Sequence, residues 1–190
     1  MTFFRLALIA ALLTTLAGAA DARALKLKLA KPQPSGLTQG LKVQYAYPND
    51  VQSLRDAYIA IGVGAEPGTP LSHLDYVSSK STPNALTSKQ EQKVAAQING
   101  YIKFDAPGTY TLQFYSNDGL RLNVGGQEVA EVDEKRSCKP TGKVEVRVKK
   151  AGWYELDALY WQRKGTSCLQ MQWAAEGDEL KAVPAAAFGY

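Results

Sequence analysis

The chain has 190 residues, of which 45% are hydrophobic and 21% charged, with 22 basic against 18 acidic side chains, two cysteines and one histidine. A net charge of +4 on a sequence of mixed sign lacks the concentrated basic face of nucleic-acid binders. The solitary His73 belongs to no HExxH motif and no GxSxG motif occurs, so the commonest metalloprotease and serine-hydrolase chemistries are set aside.

Arg5 opens an apolar run from Leu6 to Leu16 that ends in the small residues Ala17 to Ala24, the pattern of a secretory signal peptide over residues 1–24. The run is shorter than the roughly 20 apolar residues a membrane span requires. Cleavage after Ala22 or Ala24 fits the small-x-small rule, and an exported protein, periplasmic or extracellular, is expected. Removing 24 of the 190 residues leaves 166, with 20 basic against 17 acidic, enough for one well-buried domain. Residues 25–39 carry Lys26, Lys28 and Lys31 ahead of Pro32 and Pro34 and predict a solvated, flexible basic leader. The domain itself is expected over residues 40–190.

Leu41, Val43 and Tyr45 alternate with polar residues and predict a first strand, stopped by Pro48, Asn49 and Asp50. Residues 67–97 are polar, contain Pro70 and Pro83, and predict loop with short strands and a helical turn around residues 89–95. The stretch GYIKFDAPGTYTLQFYSNDG, residues 100–119, predicts a hairpin turning at Pro107 and Gly108 and ending in an acidic loop. Leu120, Leu122 and Val124 lead into Gly125 and Gly126, a two-residue hairpin signal, with Val129 and Val132 beyond it. Val144, Val146 and Val148 form the next alternating run, then Tyr154, Leu156, Ala158 and Tyr160 after Gly152, then Leu169, Met171 and Trp173. So many short strands with Gly and Pro turns predict an all-β fold, an antiparallel β-sandwich or barrel with long loops.

Cys138 and Cys168 are an even pair without a CxxC spacing or neighbouring histidines, and in an exported chain they predict a structural disulfide.

The order of these pieces resembles the PA14 domain family, shared by the anthrax protective antigen, yeast flocculins, adhesins and inserts within glycosidases. Gly100 with Tyr101, Gly108 to Tyr110, Ser116 to Gly119, Arg121 with Leu122, and Gly126 match the family's first half in sequence and spacing. Gly152 with Trp153 and Tyr154, Tyr160, Trp173 and Pro184 match its second half. In sugar-binding members the resemblance implies a calcium ion held by a cis-linked aspartate pair and by an asparagine and main-chain oxygens of a following loop, the ion in turn coordinating sugar hydroxyls. Those positions fall on Asn117, Asp118 and Gln162, the last in the loop 162–167. Asn117 and Gln162 depart from the family's aspartate and asparagine, Gly125 stands where an aspartate often precedes the turn glycine, and Arg163 and Lys164 add cations nearby.

The function expected is a non-enzymatic, lectin-like carbohydrate-binding module, with calcium the cofactor that the resemblance implies and a turn-shaping role for Asn117 and Asp118 the alternative. Asn117, Asp118, Trp161 and Gln162 are its ligand-binding residues, and Asn117, Asp118 and Gln162 hold the metal. Trp161 alternates out of phase with Tyr160, Ala158 and Leu156, so it serves either as an exposed stacking platform or in packing, whereas Trp173 shares the apolar face of Leu169 and Met171. The alternative is a cell-envelope protein-interaction or structural module of the same fold with a lost metal site. A glycan hydrolase would need two of Asp133, Glu134 and Asp157 as a facing pair. The alternating signs of Glu131, Asp133, Glu134, Lys135 and Arg136 predict a solvated rim instead.

Overall fold

The computed structural model describes residues 24–190, and the signal-peptide segment expected over residues 1–24 lies outside them apart from Ala24. The chain folds as two face-to-face sheets, with one α-helix among the described residues. One sheet joins β1 (Leu25–Lys26), β9 (Lys139–Val148), β6 (Gly108–Asn117), β11 (Cys168–Ala175) and β12 (Lys181–Ala182), with β4 (Asp75–Val77) also on β11. The other joins β3 (Glu66–Pro67), β2 (Lys42–Ala46), β5 (Val94–Phe104), β10 (Gly152–Gln162), β7 (Gly119–Val124) and β8 (Gln127–Val132), with β13 (Phe188–Gly189) also on β5. Every pairing is antiparallel except β1 with β9.

The alternating apolar residues meet between the sheets. Ile98, Ile102 and Phe104 of β5 and Tyr154, Leu156 and Tyr160 of β10 face Leu112 and Phe114 of β6 and Leu169 and Met171 of β11, all at most 2% exposed. The chain is therefore an antiparallel-rich β-sandwich, as its periodicity predicts. No helix among the described residues is long and apolar enough to cross a membrane.

The structure corrects four local expectations. Pro107 and Gly108 do not close a hairpin, because β5 pairs with β10 and β2 while β6 pairs with β9 and β11, so the turn carries the chain from one sheet to the other. Residues 89–95 contain no helical turn; β5 begins at Val94. The basic leader is part of the sandwich, since Leu25 and Lys26 pair with β9 and Leu27 and Ala30 are buried. A helix, α1 (Leu54–Gly64), stands where sequence reading finds none. Its start carries a legible signal: the Ser53 hydroxyl accepts from the Asp56 amide, while the Asp56 carboxylate accepts from the Gln52 amide.

Helix α1 lies across the outer face of the second sheet. Val51, Leu54 and Ala57 pack with Ala46, Ala95, Leu159 and Trp161 into a second core, separate from the one between the sheets. One end of β10 is thus buried on both faces, from Ala158 through Gln162.

Cys138 and Cys168 are joined, with Cα atoms 5.7 Å apart. The bridge ties the segment after β8 to the start of β11 and closes a loop of 30 positions, worth roughly 3–4 kcal/mol in the chain-entropy picture. At about 2–4 °C per kcal/mol for a domain of this size, reduction is expected to lower the melting temperature by about 10 °C. Calorimetry with and without a thiol reductant measures this.

Candidate functional site

Four segments converge at one tip of the sandwich: the β6–β7 link at Asn117 and Asp118, the end of β10 with its loop, the segment after β8, and the approach to α1. Asn117 ends β6 opposite Cys168, and Gly119 opens β7 opposite Trp161. The Asn117–Asp118 peptide is cis, the arrangement the resemblance implies for the paired acidic residues. The Tyr160 hydroxyl donates to the Asn117 carbonyl, and the Ser116 hydroxyl donates to the Asp118 carbonyl at 3.0 Å. Burial pushes the Tyr160 phenol far above the ordinary tyrosine range, so it stays a neutral donor.

Asp118 is the hub of this tip. Only 5% exposed, it donates its amide to the Trp161 carbonyl at 3.0 Å. Its carboxylate accepts from the Arg136 amide at one oxygen and from the Arg163 amide at the other, each at 2.8 Å. One carboxylate therefore fastens both flanking loops. The segment expected as a solvated rim is instead a structural partner of the site: Arg136 binds Asp118 through its amide, and the Asp133 carboxylate caps the Leu54 amide of α1 at 2.6 Å.

The neighbouring cations are held in other contacts. Arg163 turns its guanidinium onto Asp50, with contacts of 2.9 and 3.3 Å, and this partner holds the Asp50 carboxyl down to about 2. Arg136 donates through one terminal nitrogen to the Pro140 carbonyl at 2.8 Å and approaches Glu134 at 3.7 Å, while its Nε is buried without a partner. Lys164 is exposed.

Three side-chain oxygens at the tip are buried without a hydrogen-bond partner: Asn117 Oδ1, Gln162 Oε1 and Ser167 Oγ. Gln162 is fully buried, and its amide nitrogen is spent on the Gly165 carbonyl at 2.9 Å, which leaves the oxygen for something else. Buried acceptors rarely stand alone. The two orphaned amide oxygens and the buried Asp118 carboxylate are donors of the all-oxygen type that suits a calcium ion. The set carries one negative charge, and no group of three or more His, Cys, Asp or Glu side chains is placed to hold a metal among the described residues. Asn117, Asp118 and Gln162 thus fit the ion by donor type and by orphaned valence, at a reduced ligand charge.

Trp161 is corrected. It is 0% exposed and lies in the core beneath α1, so it offers no ring face to a sugar. Its out-of-phase position puts it on the outer face of the sheet, and the helix covers that face. Trp173, half-buried, packs beside Phe104 and Tyr110. Of the carboxylates considered for glycoside hydrolysis, Asp133 is spent on the helix cap, and Asp157 lies exposed in mid-strand on β10, bonded to Asn123. His73 pairs with the Ser72 hydroxyl beside Tyr76.

The PA14 domain family model matches residues 73–186, more than half of the chain, and the chain belongs to that family. Solved structures agree in fold. The PA14 domain of the MpAFP antifreeze protein aligns at 18% identity with a TM-score of 0.67, over 84% of this chain and 95% of that one. The PA14 sugar-binding domain of an RTX adhesin aligns at 18% identity with a TM-score of 0.62, over 80% and 99%. The epithelial adhesin 9 A domain of Candida glabrata, solved with Galb1-4GlcNAc, aligns at 14% identity with a TM-score of 0.65, over 83% and 92%. No curated protein sequence matches the chain.

Proposed function

We propose that this protein is an exported, non-enzymatic carbohydrate-binding module that takes a glycan at the tip formed by Asn117, Asp118 and the loop 162–167. The observation that carries the reading is the pair of orphaned amide oxygens, Asn117 Oδ1 and Gln162 Oε1, beside the buried Asp118. Asn117, Asp118 and Gln162 would hold a calcium ion there, and a bound calcium supplies open coordination positions for vicinal sugar hydroxyls. Two solved structures of the same fold are a sugar-binding domain and an adhesin domain with a bound disaccharide, which supports the glycan class.

The chain's own residues do the positioning. Asp118 braces the two loops through the Arg136 and Arg163 amides, Tyr160 fixes the Asn117 carbonyl, and the disulfide anchors the segment carrying Arg136. The exposed Lys164 and Thr166 of the 162–167 loop would meet the sugar's outer hydroxyls. Trp161 has no part in stacking, so recognition rests on polar contacts.

One observation favours a second reading. Both oxygens of Asp118 already accept main-chain amides, so the tip can hold its shape without an ion, as a cell-envelope protein-interaction module would require. A glycan array probed in millimolar calcium and again in chelator separates the two. The carbohydrate reading expects hits that vanish in chelator; an array empty in both conditions, with an envelope protein captured regardless of chelation, leaves the interaction module.

A further inference from the structure

We propose a second binding site on this domain, for an acidic polysaccharide bearing carboxylate or sulfate groups, at the opposite end of the sandwich from Asp118. It does not depend on the function proposed for the tip. The site arises from the segment 25–34, which is strapped onto the β9–β10 corner. The Leu27 amide donates to Arg147, the Lys28 amide to Gly125 and the Ala30 amide to Trp153, at 3.1, 2.9 and 3.0 Å. The Gln33 side chain closes the strap, donating to the Ala30 and Trp153 carbonyls and accepting from the Trp153 amide. A β-carbon at Gly125, whose φ is +53°, would stand 2.9 Å from the Lys28 backbone, and one at Gly152, whose φ is +142°, would stand 2.6 Å from Gln33 Oε1. Both glycines are thus seats for the strap.

With Leu27 and Ala30 turned inward, Lys26, Lys28 and Lys31 are exposed, and they meet Lys149 and Lys150 from the corner. These five lysines rim one groove of about 570 Å³, floored by Leu27, Leu29 and Tyr154. None of the five takes part in an ion pair among the described residues. Five unpaired cations around one concavity raise a positive potential that concentrates a polyanion.

The surroundings choose among polyanions. Among the described residues, the exposed large apolar side chains, Tyr58, Ile59, Val63 and Val77, lie on α1 and β4 and none rims the groove, so none of them is placed there to seat the protein in a lipid interface. Base stacking needs an exposed ring, and the one aromatic residue here, Tyr154, is buried with its hydroxyl donated to the Lys150 carbonyl at 2.7 Å. Lysines are point charges on flexible stems, without the planar fork that arginine offers, and suit anionic groups spaced along a sugar chain. Strand β10 runs from this corner at Gly152 to the tip at Gln162, ten steps of roughly 3.3 Å, so the two sites lie roughly 33 Å apart.

The test is calorimetric titration of the whole protein with a heparin oligosaccharide at 50 and 200 mM salt. Wild type is expected to bind, more weakly at the higher salt. Lys28→Ala with Lys149→Ala and Lys150→Ala should weaken binding at least tenfold. Lys80→Ala with Lys89→Ala and Lys139→Ala, which removes the same charge elsewhere, should leave it within twofold. Binding that survives chelator and Asp118→Asn keeps this site distinct from the tip. The proposal is overturned by no binding, by equal loss in the two triple variants, by loss with a folded Asp118→Asn, or by tighter binding to phosphatidylglycerol vesicles or duplex DNA than to heparin.

Discussion

Trp161→Ala is expected to lower the unfolding free energy by about 3–5 kcal/mol, the usual cost of emptying a large aromatic site in a core that cannot collapse around it. Two rigid layers bound that site. Above it lies α1 with Val51, Leu54 and Ala57, and below it lies the sheet with Ala46, Ala95 and Leu159. The indole also presses on Gly119, where a β-carbon would collide with its ring nitrogen. Because Asp118 donates its amide to the Trp161 carbonyl, loosening this residue also loosens the tip. Urea denaturation followed by circular dichroism measures the loss. A change below 1 kcal/mol would place Trp161 outside the core; a more conservative probe, Trp161→Phe, should cost less while keeping the protein folded.

Asp118→Ala is expected to abolish glycan binding and to destabilise the domain. The variant strands the amides of Arg136 and Arg163, each costing about 1–3 kcal/mol when left buried without a partner. It also removes the single carboxylate from the Asn117, Asp118 and Gln162 set. Asp118→Asn separates the two effects, since it keeps the side chain's shape and one oxygen, and so one amide contact, while removing the charge. Array signal lost in Asp118→Asn, in a protein that still melts cooperatively, assigns the loss to binding. Full signal in Asp118→Asn would show that the carboxylate has no role in recognition.

The sandwich was legible from residue 98 onward because its strands have one face in the core and one toward water, so period-two alternation survives in Leu112 and Phe114, in Val146 and Val148, and in Leu169 and Met171. That rule misleads where a second layer covers the outer face. Leu159 and Trp161 look solvent-facing only until α1 is placed, and the Ser53-to-Asp56 capping pair with Leu54 and Ala57 three apart was the signal that could have placed it. Leu25, Leu27 and Leu29 alternating with Lys26 and Lys28 likewise spell an edge strand, hidden by charge and the following prolines. The turn at Pro107 looks the same whether it closes a hairpin or crosses between sheets, because the partner that decides, β10, lies about fifty residues away. At the tip, the family resemblance pointed to Asn117, Asp118 and Gln162 as the proposed set, whereas the amide contacts from Arg136 and Arg163 depend on backbone positions that no side-chain motif encodes.

The most direct measurement is a thermal melt in millimolar calcium against a melt in chelator, on wild type and on Gln162→Leu. An ion bound to the folded state alone at a hundred times its dissociation constant adds about 2.7 kcal/mol, which for a domain of this size raises the midpoint by roughly 5–10 °C. The oxygen set at the tip predicts that rise in wild type and its near-disappearance in Gln162→Leu. Superimposed wild-type curves in calcium and chelator would contradict it.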